Sequence, residues 1–285
     1  MTTTTPSPNT QKTHHKTHIV IPARHKSSRL PGKPLLPIHG KPMILWVAQK
    51  ASLATFADDL TIATDDKRIA DVCRHAGYDV LMTDVNHASG TDRLAEVVTI
   101  KGWADDDIVI NMQGDEPLVP PLLLEQTKNL LLKSHDAVMA TLCEPIHSYE
   151  ELMRPSVVKV VADKHNHALY FSRTGIPCNR EHALAMVNNR QTSNAQTPEF
   201  QAQKAPTHAY RHLGLYAYRV AMLKAFGGWQ MGMLEQLEAL EQLRVLEQGK
   251  KIAIDIALTS LPAGVDTQAD LDRLNQLPLT AFGGV

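Results

Sequence analysis

The stretch Ile21–Leu35, IPARHKSSRLPGKPL, places Arg24, His25, Lys26, Arg29 and Lys33 within ten positions, and the first acidic residue of the chain is Asp58. Like charges held in one loop repel, so an anion is a natural partner. Gly32 permits close backbone approach, while Pro31 and Pro34 stiffen the turn. Arg24 and Arg29 can each fork onto phosphate oxygens, and Lys33 supplies a point charge. That supply matches a triphosphate. The loop is neither a P-loop, because Pro34 follows Gly32-Lys33 where Ser or Thr is required, nor a GxGxxG fingerprint. Phosphate chemistry also needs a carboxylate to hold a divalent cation. Asp115, in Gln113-Gly114-Asp115-Glu116-Pro117, follows an apolar run and can bridge Mg²⁺ to phosphate. On position alone, a turn or helix-cap role for Asp115 competes with that reading. The triple Asp105-Asp106-Asp107 precedes a strand where a metal motif would follow one, and reads as a solvated turn.

The elements that must position these groups alternate. His18–Pro22 (HIVIP) is a short apolar, β-branched run ending at proline, the pattern of a buried parallel strand. The basic loop follows it directly. Helical spacing covers Met43–Phe56, Leu60–Ala63 is the next strand, and Lys67–Ala76 is a helix stopped by Gly77. A strand at Asp79–Met82, a helix opening at Ser89, a strand at Asp107–Asn111 and a helix near Pro121–Lys133 continue the series. Alternation of this kind predicts an α/β fold with a mainly parallel sheet covered on both faces. Ligands then sit beyond the carboxyl ends of the strands, where both the basic loop and Asp115 fall. The second half is richer in strand: Ala137–Leu142, Val157–Val161, Ala168–Ser172, Leu213–Tyr218 and Ile252–Ile256. Leucines at 234, 237, 240, 243 and 246 predict one amphipathic helix over Leu234–Leu246, used for core packing.

Residues 1–17 are polar and read as a disordered tail, and residues 18–285 as a single domain, with a polar insertion at about 179–208. The chain is 285 residues, 43% hydrophobic and 21% charged, with a formal net charge of −1. Near-neutral charge with one local basic region favours a compact anionic ligand over a long nucleic acid, although a merely solvated basic face fits composition as well. No apolar run approaches the roughly 20 residues of a membrane span. Three separated cysteines without CxxC suggest neither a disulfide framework nor a zinc site, and point to a reducing cytoplasm.

The string IPARHKSSRLPGKPL resembles the signature of the sugar-activating cytidylyltransferase family, most closely the branch acting on 3-deoxy-D-manno-octulosonate (Kdo). Further stretches agree: HASGTDRLAEV (His87–Val97), NMQGDEPLVP (Asn111–Pro120), ALYFSR (Ala168–Arg173), RHLGLYAY (Arg211–Tyr218), LEQLRVLEQGKKI (Leu240–Ile252) and GVDT (Gly264–Thr267). The resemblance runs from about Ile19 to Leu274 and is interrupted at Asn179–His208. It implies a three-layer, Rossmann-like mixed sheet of the nucleotide-diphospho-sugar transferase type. The implied reaction joins CTP and Kdo to give CMP-Kdo and pyrophosphate for lipopolysaccharide synthesis, with Mg²⁺, in a cytoplasmic homodimer.

The same resemblance implies site roles. Arg24, Ser27, Arg29 and Lys33 hold the triphosphate, and Asp115 and Asp266 hold the metal. Ser89, Gly90, Thr91 and Gln113 face the nucleotide, with Arg93 in support; free amides at a helix start suit that role, as does a plain N-cap. Arg173, His212, Tyr216, Glu241 and Gln242 form the sugar pocket, Arg173 pairing with the acid's carboxylate. His212 and Tyr216 lie four apart and share a face if they are on a strand. Without the resemblance, Glu241 reads as a solvated helix position and His212 as a structural histidine. Three rival functions are a CMP-sialic acid synthetase, a glycosyltransferase and a non-catalytic nucleotide-binding module. The second needs a DxD after a strand, which the chain lacks.

Overall fold

The computed structural model describes residues 15–26, 30–87, 89–180, 184, 205 and 208–283. Ser27, Arg29 and most of the polar stretch 179–208 lie outside the described residues. Among the described residues, seven strands of a nine-stranded sheet form the central path, in the order β11 (Lys251–Ile256), β7 (Ala137–Pro145), β10 (Tyr210–Arg219), β6 (Ile108–Asn111), β1 (Thr17–Ala23), β4 (Asp59–Thr64) and β5 (Asp79–Met82). β1 (Thr17–Ala23) lies between β4 (Asp59–Thr64) and β6 (Ile108–Asn111), parallel to both, and β5 (Asp79–Met82) continues the parallel half. Ile19 and Ile21 of β1 bury against α1 (Met43–Ala51), α2 (Lys67–His75) and α4 (Pro121–Lys133). Val20, between them, buries on the opposite face with α3 (Gly90–Lys101) and α6 (Val220–Phe226). Alternate side chains of one strand thus enter two different cores, which is why Ile19-Val20-Ile21 is apolar at every position and why the molecule has three layers.

β10 (Tyr210–Arg219) runs antiparallel between β6 and β7 (Ala137–Pro145), while β11 (Lys251–Ile256) is parallel to β7. Because β10 is reversed, its N-terminal half emerges at the edge where β1 and β6 end. His212 and Tyr216 therefore reach the ligand edge from the opposite chain direction. A hairpin of β8 (Lys159–Ala162) and β9 (Ala168–Ser172) extends the sheet from β10. Among the described residues, no helix is long and apolar enough to cross a membrane.

Three sequence expectations need correction. β1 begins at Thr17, inside the expected tail, because Asp107 and Asp58 accept hydrogen bonds from the amides of Lys16 and Thr17 at 2.9 and 2.7 Å. The helix expected over Met43–Phe56 ends at Ala51, and residues 52–57 form hydrogen-bonded turns. The single amphipathic helix at Leu234–Leu246 is two: α7 (Met233–Glu238) and α8 (Gln242–Glu247). The break falls at Ala239, in a left-handed conformation with φ +50°. The carbonyls of Glu238 and Ala239 turn away from helix geometry to accept from the Arg173 guanidinium at 2.7 and 3.2 Å. Leu240 and Leu243 remain core residues, whereas Leu237 is 75% exposed.

Candidate active site

Lys33, Asp115 and Asp266 converge at the ligand edge. Lys33 Nζ lies 2.5 Å from Asp115 Oδ2 and 3.3 Å from Asp266 Oδ1, and donates to the Val265 carbonyl at 2.8 Å. All three ammonium protons therefore have an acceptor. The convergence has a backbone cause. A Cβ at Gly114 would stand 2.8 Å from the Pro22 carbonyl, so only glycine lets the QGDEP turn close on the end of β1. Likewise, a Cβ at Gly264 would stand 2.9 Å from the Asp115 carbonyl, which accepts from Val265 N at 2.9 Å. Leu30, at the end of the basic loop, and Val265 bury in one small cluster with Trp46, Leu271 and Phe282. This packing joins two segments far apart in sequence. Asp270, in the capping box of α9 (Gln268–Gln276), also accepts from the Asp266 amide at 3.1 Å.

Beside this trio opens a cavity of about 530 Å³. Arg24, Ser89, Gly90, Thr91, Gln113, His212, Tyr216, Glu241 and Gln242 all line it. The nucleotide-side and sugar-side expectations therefore meet in one space, with Glu116 and Gly264 linking it to Asp115 and Asp266. Ser89 caps α3 by accepting from the Asp92 amide at 3.0 Å. The Thr91 amide is not free: Glu241 accepts from it at 3.1 Å and from the Thr91 hydroxyl at 2.6 Å. Glu241 thus binds α3 to α8, a role that the reading as a solvated helix position misses. Arg93, buried in the same cavity lining, is paired with Asp65 at 2.9 Å and donates to the Thr83 hydroxyl.

Arg173 does not line the cavity. Its guanidinium donates to the carbonyls of Pro155, Glu238 and Ala239, and its amide to Glu238 Oε2 at 2.9 Å. It braces the α7–α8 corner with three of its five guanidinium N–H groups, and it stands outside the cavity where the sugar carboxylate was expected to meet it. Lys159, fully buried, acts in the same way on the carbonyls of Arg154, Val157 and Arg173. The cation that does line the sugar side is Arg211, held by Glu144.

His212 and Tyr216 do share a face, with ring centroids 5.2 Å apart. Between them β10 bulges: Leu213 opposes Leu142 and Tyr216 opposes Thr141, leaving two extra residues. An even number preserves the alternation. The Thr141 hydroxyl has a single proton, and the Leu213 and Leu215 carbonyls lie 3.0 and 2.8 Å away to accept it. His212 Nε2, 3.0 Å from Thr141 Oγ1, is then the donor, and Nδ1 is left as an acceptor. Desolvation pushes the His212 imidazole down to about 3, so it is neutral at physiological pH. Burial raises the Tyr216 phenol well above its ordinary value, assisted by nearby Tyr218, Glu241 and Glu116. Glu116 is pushed up to about 8, first by burial and then by the charges of Asp115 and Asp266.

Sequence reasoning missed Asn111, Tyr218 and Arg211 as cavity residues. For Tyr218 the signal was present, since it follows Tyr216 at the strand period of two. The acidic triple is only in part the solvated turn expected: Asp105 and Asp106 are exposed, with Asp105 paired to Lys224 at 2.6 Å, whereas Asp107 is buried and faces His18 at 3.4 Å.

A cation-and-carboxylate cluster at the carboxyl edge of such a sheet, beside a cavity lined by polar and apolar residues alike, is an arrangement suited to a nucleotidyltransferase. The chain belongs to the cytidylyltransferase family, whose family model matches residues 18–252. Within it, the chain is similar to 3-deoxy-manno-octulosonate cytidylyltransferases. That of Psychrobacter sp. (strain PRwf-1) is 67% identical over 265 residues, 93% of this chain and 94% of that one. That of Acinetobacter baumannii (strain SDF) is 55% identical over 265 residues, 93% of this chain and 99% of that one. A solved CMP:2-keto-3-deoxy-manno-octonic acid synthetase complexed with CTP superposes with a TM-score of 0.76 at 38% identity, covering 91% of this chain and 97% of that one. A cytidylyltransferase from Leptospira borgpetersenii, at 16% identity and a TM-score of 0.57, shares the fold.

Proposed function

We infer that this chain transfers CMP from CTP to 3-deoxy-D-manno-octulosonate, releasing pyrophosphate and supplying CMP-Kdo for lipopolysaccharide synthesis. The observation that supports the site assignment is the meeting of Lys33, Asp115 and Asp266 beside the cavity that Arg24, Gln113, His212, Tyr216, Glu241 and Gln242 line together. In the reaction the anomeric hydroxyl of the sugar attacks the α-phosphorus and pyrophosphate departs in line. Such transfer depends on positioning and on neutralising phosphate charge. Arg24 and Lys33 supply cations for the triphosphate, and Gln113 and the start of α3 face the nucleotide. His212, neutral and with Nδ1 as an acceptor, is suited to orient a sugar hydroxyl. Tyr216, Glu241 and Gln242 complete the sugar side.

The reading includes Mg²⁺ held by Asp115 and Asp266. The donor set fits: two carboxylates already gather around one cation, Lys33 Nζ. Mg²⁺ takes one or two carboxylates and completes its shell with phosphate oxygens and water. A larger protein cage is not required, and among the described residues no cluster of three or more His, Cys, Asp or Glu forms one. When bound, the ion supplies charge neutralisation at the phosphates. We further propose a single domain over 18–285 and a cytoplasmic homodimer. Free Cys73, Cys143 and Cys178 suit a reducing compartment, and exposed Leu169, Met233 and Leu237 are candidate interface residues.

The test is pyrophosphate release across paired nucleotides and sugar acids. CTP with Kdo is expected to exceed CTP with sialic acid, and ATP or GTP with Kdo, by at least about 100-fold in kcat/KM. Comparable turnover of sialic acid, or CTP binding without turnover, contradicts the reading.

A further inference from the structure

Among the described residues, four buried side-chain atoms make no hydrogen bond: His15 Nδ1, Asn111 Oδ1, Glu116 Oε2 and Gln242 Nε2. His15 Nδ1 faces Asp106 at 3.4 Å as an ion pair. The residues of the other three all line the one cavity. Buried polar atoms in folded proteins are nearly always satisfied, so a cluster of exceptions in one space points to a ligand's polar groups. Glu116 sits beside Asp115 at the phosphate end. Asn111 and Gln242 are only 2% and 5% exposed.

The state of Asn111 follows from a directed chain of hydrogen bonds. Glu241, as a carboxylate, accepts only, so the Thr91 hydroxyl donates to it. The buried Tyr218 phenol stands beside the side chains of both Thr91 and Asn111. With the Thr91 proton committed to Glu241, the Tyr218 hydroxyl can only donate towards Thr91 Oγ1, which turns its lone pairs to the Asn111 amide nitrogen. The Asn111 donor is its amide nitrogen, which leaves Oδ1 as a pure acceptor. The amide orientation is thus set by Glu241, three residues along the chain. Gln242 Nε2 is the complementary free donor. A group that donates to one atom and accepts from the other is a hydroxyl, of a ligand or of a water that a ligand hydroxyl replaces; an exocyclic amine, which only donates, leaves Gln242 unsatisfied. Asn111 is also the register partner of Tyr216 across β6 and β10.

We propose that Asn111 is a specificity-determining residue for the sugar substrate: its Oδ1 accepts from one hydroxyl of the sugar acid, which in turn accepts from Gln242 Nε2. This rests on the functional reading above and adds a residue to it. A site built around a substrate hydroxyl rejects the analogue lacking it, because the buried partners are left unpaired.

The test compares wild type with Asn111→Leu and Asn111→Asp on Kdo and on analogues with each hydroxyl removed in turn. Asn111→Leu is expected to lose about 10- to 100-fold in kcat/KM on Kdo, with KM for CTP within about twofold of wild type. One deoxy analogue is expected to erase the difference between Asn111→Leu and wild type to within about threefold. Asn111→Asp, which keeps an acceptor oxygen, is expected to retain discrimination against that analogue, and this holds the test open if the leucine variant fails to fold. Equal losses on every analogue, a change confined to CTP, or loss of discrimination in a folded Asn111→Asp overturns the proposal. Wild-type turnover of unmodified Kdo reports separately on the function: its absence overturns both readings, whereas turnover with uniform losses overturns this one alone.

Discussion

The two ends of the cavity are built on opposite principles. At the phosphate end, the charged groups already satisfy one another: Lys33 holds Asp115 and Asp266, and in the proposed function ligands enter by exchanging those partners. At the sugar end, Asn111 and Gln242 are enclosed with polar atoms unpartnered, and His212 is held neutral in one tautomer by Thr141. The first end is assembled by close backbone approach at two glycines, the second by a helix break and a strand bulge. Charge that must be exchanged is kept near solvent, where partners separate at modest cost. Hydroxyl recognition is kept buried, where an unmade hydrogen bond is expensive.

The sharpest way to break this contrast is at the carboxylates. Asp115→Asn and Asp266→Asn are each expected to lower turnover by at least on the order of 10²–10³ while melting as cooperatively as wild type. Near-normal steady-state rates in either variant remove that residue from the metal site. Next comes the backbone contact that assembles the phosphate end. In Gly264→Ala the added methyl meets the Asp115 carbonyl, and separating the two segments is expected to reduce kcat/KM by about 10- to 100-fold. An unchanged value shows that the close approach is not needed for alignment.

Arg173→Met distinguishes the two roles that this arginine can have. As a brace for the α7–α8 corner, its loss is expected to destabilise the fold by about 1–3 kcal/mol in urea unfolding and to raise KM for the sugar, leaving KM for CTP unchanged. A raised sugar KM with no change in stability restores the direct carboxylate contact.

The smallest effect concerns pH. The unfolded chain takes up a proton at His212 as pH falls through about 6.5, whereas the folded protein resists until about 3. The stability tied to a neutral His212 is therefore complete above about 6.5 and is lost progressively as pH falls below it. Between pH 7 and 5 the loss amounts to about 2 kcal/mol. His212→Gln is expected to flatten the stability-versus-pH curve by that amount, and an unaltered slope shows that the imidazole titrates normally in the fold.

Much of the phosphate end was legible in sequence because its determinants are local. HIVIP announces a strand buried on both faces, and Gly114 sits next to the carboxylate that its flexibility positions. The resemblance to sugar cytidylyltransferases brought Asp266 and the sugar-side residues into view. The helix break at Ala239 was not legible, since alanine in a left-handed conformation carries no local signal and its support comes from Arg173 on another element. The bulge in β10 left only Gly214 as a hint. The orphaned amides of Asn111 and Gln242 depend wholly on what packs around them, and no residue pattern expresses that. Ser27 and Arg29 of the basic loop lie outside the described residues.

The central claim is that Asp115 and Asp266 jointly hold a divalent cation against the triphosphate of CTP. Mn²⁺ binding followed by electron paramagnetic resonance, with CTP present and no sugar, tests it most directly. Wild type is expected to bind the ion with the nucleotide, and Asp115→Asn and Asp266→Asn each to weaken that binding by at least about tenfold. Wild-type affinity in both variants would place the metal elsewhere and contradict the account.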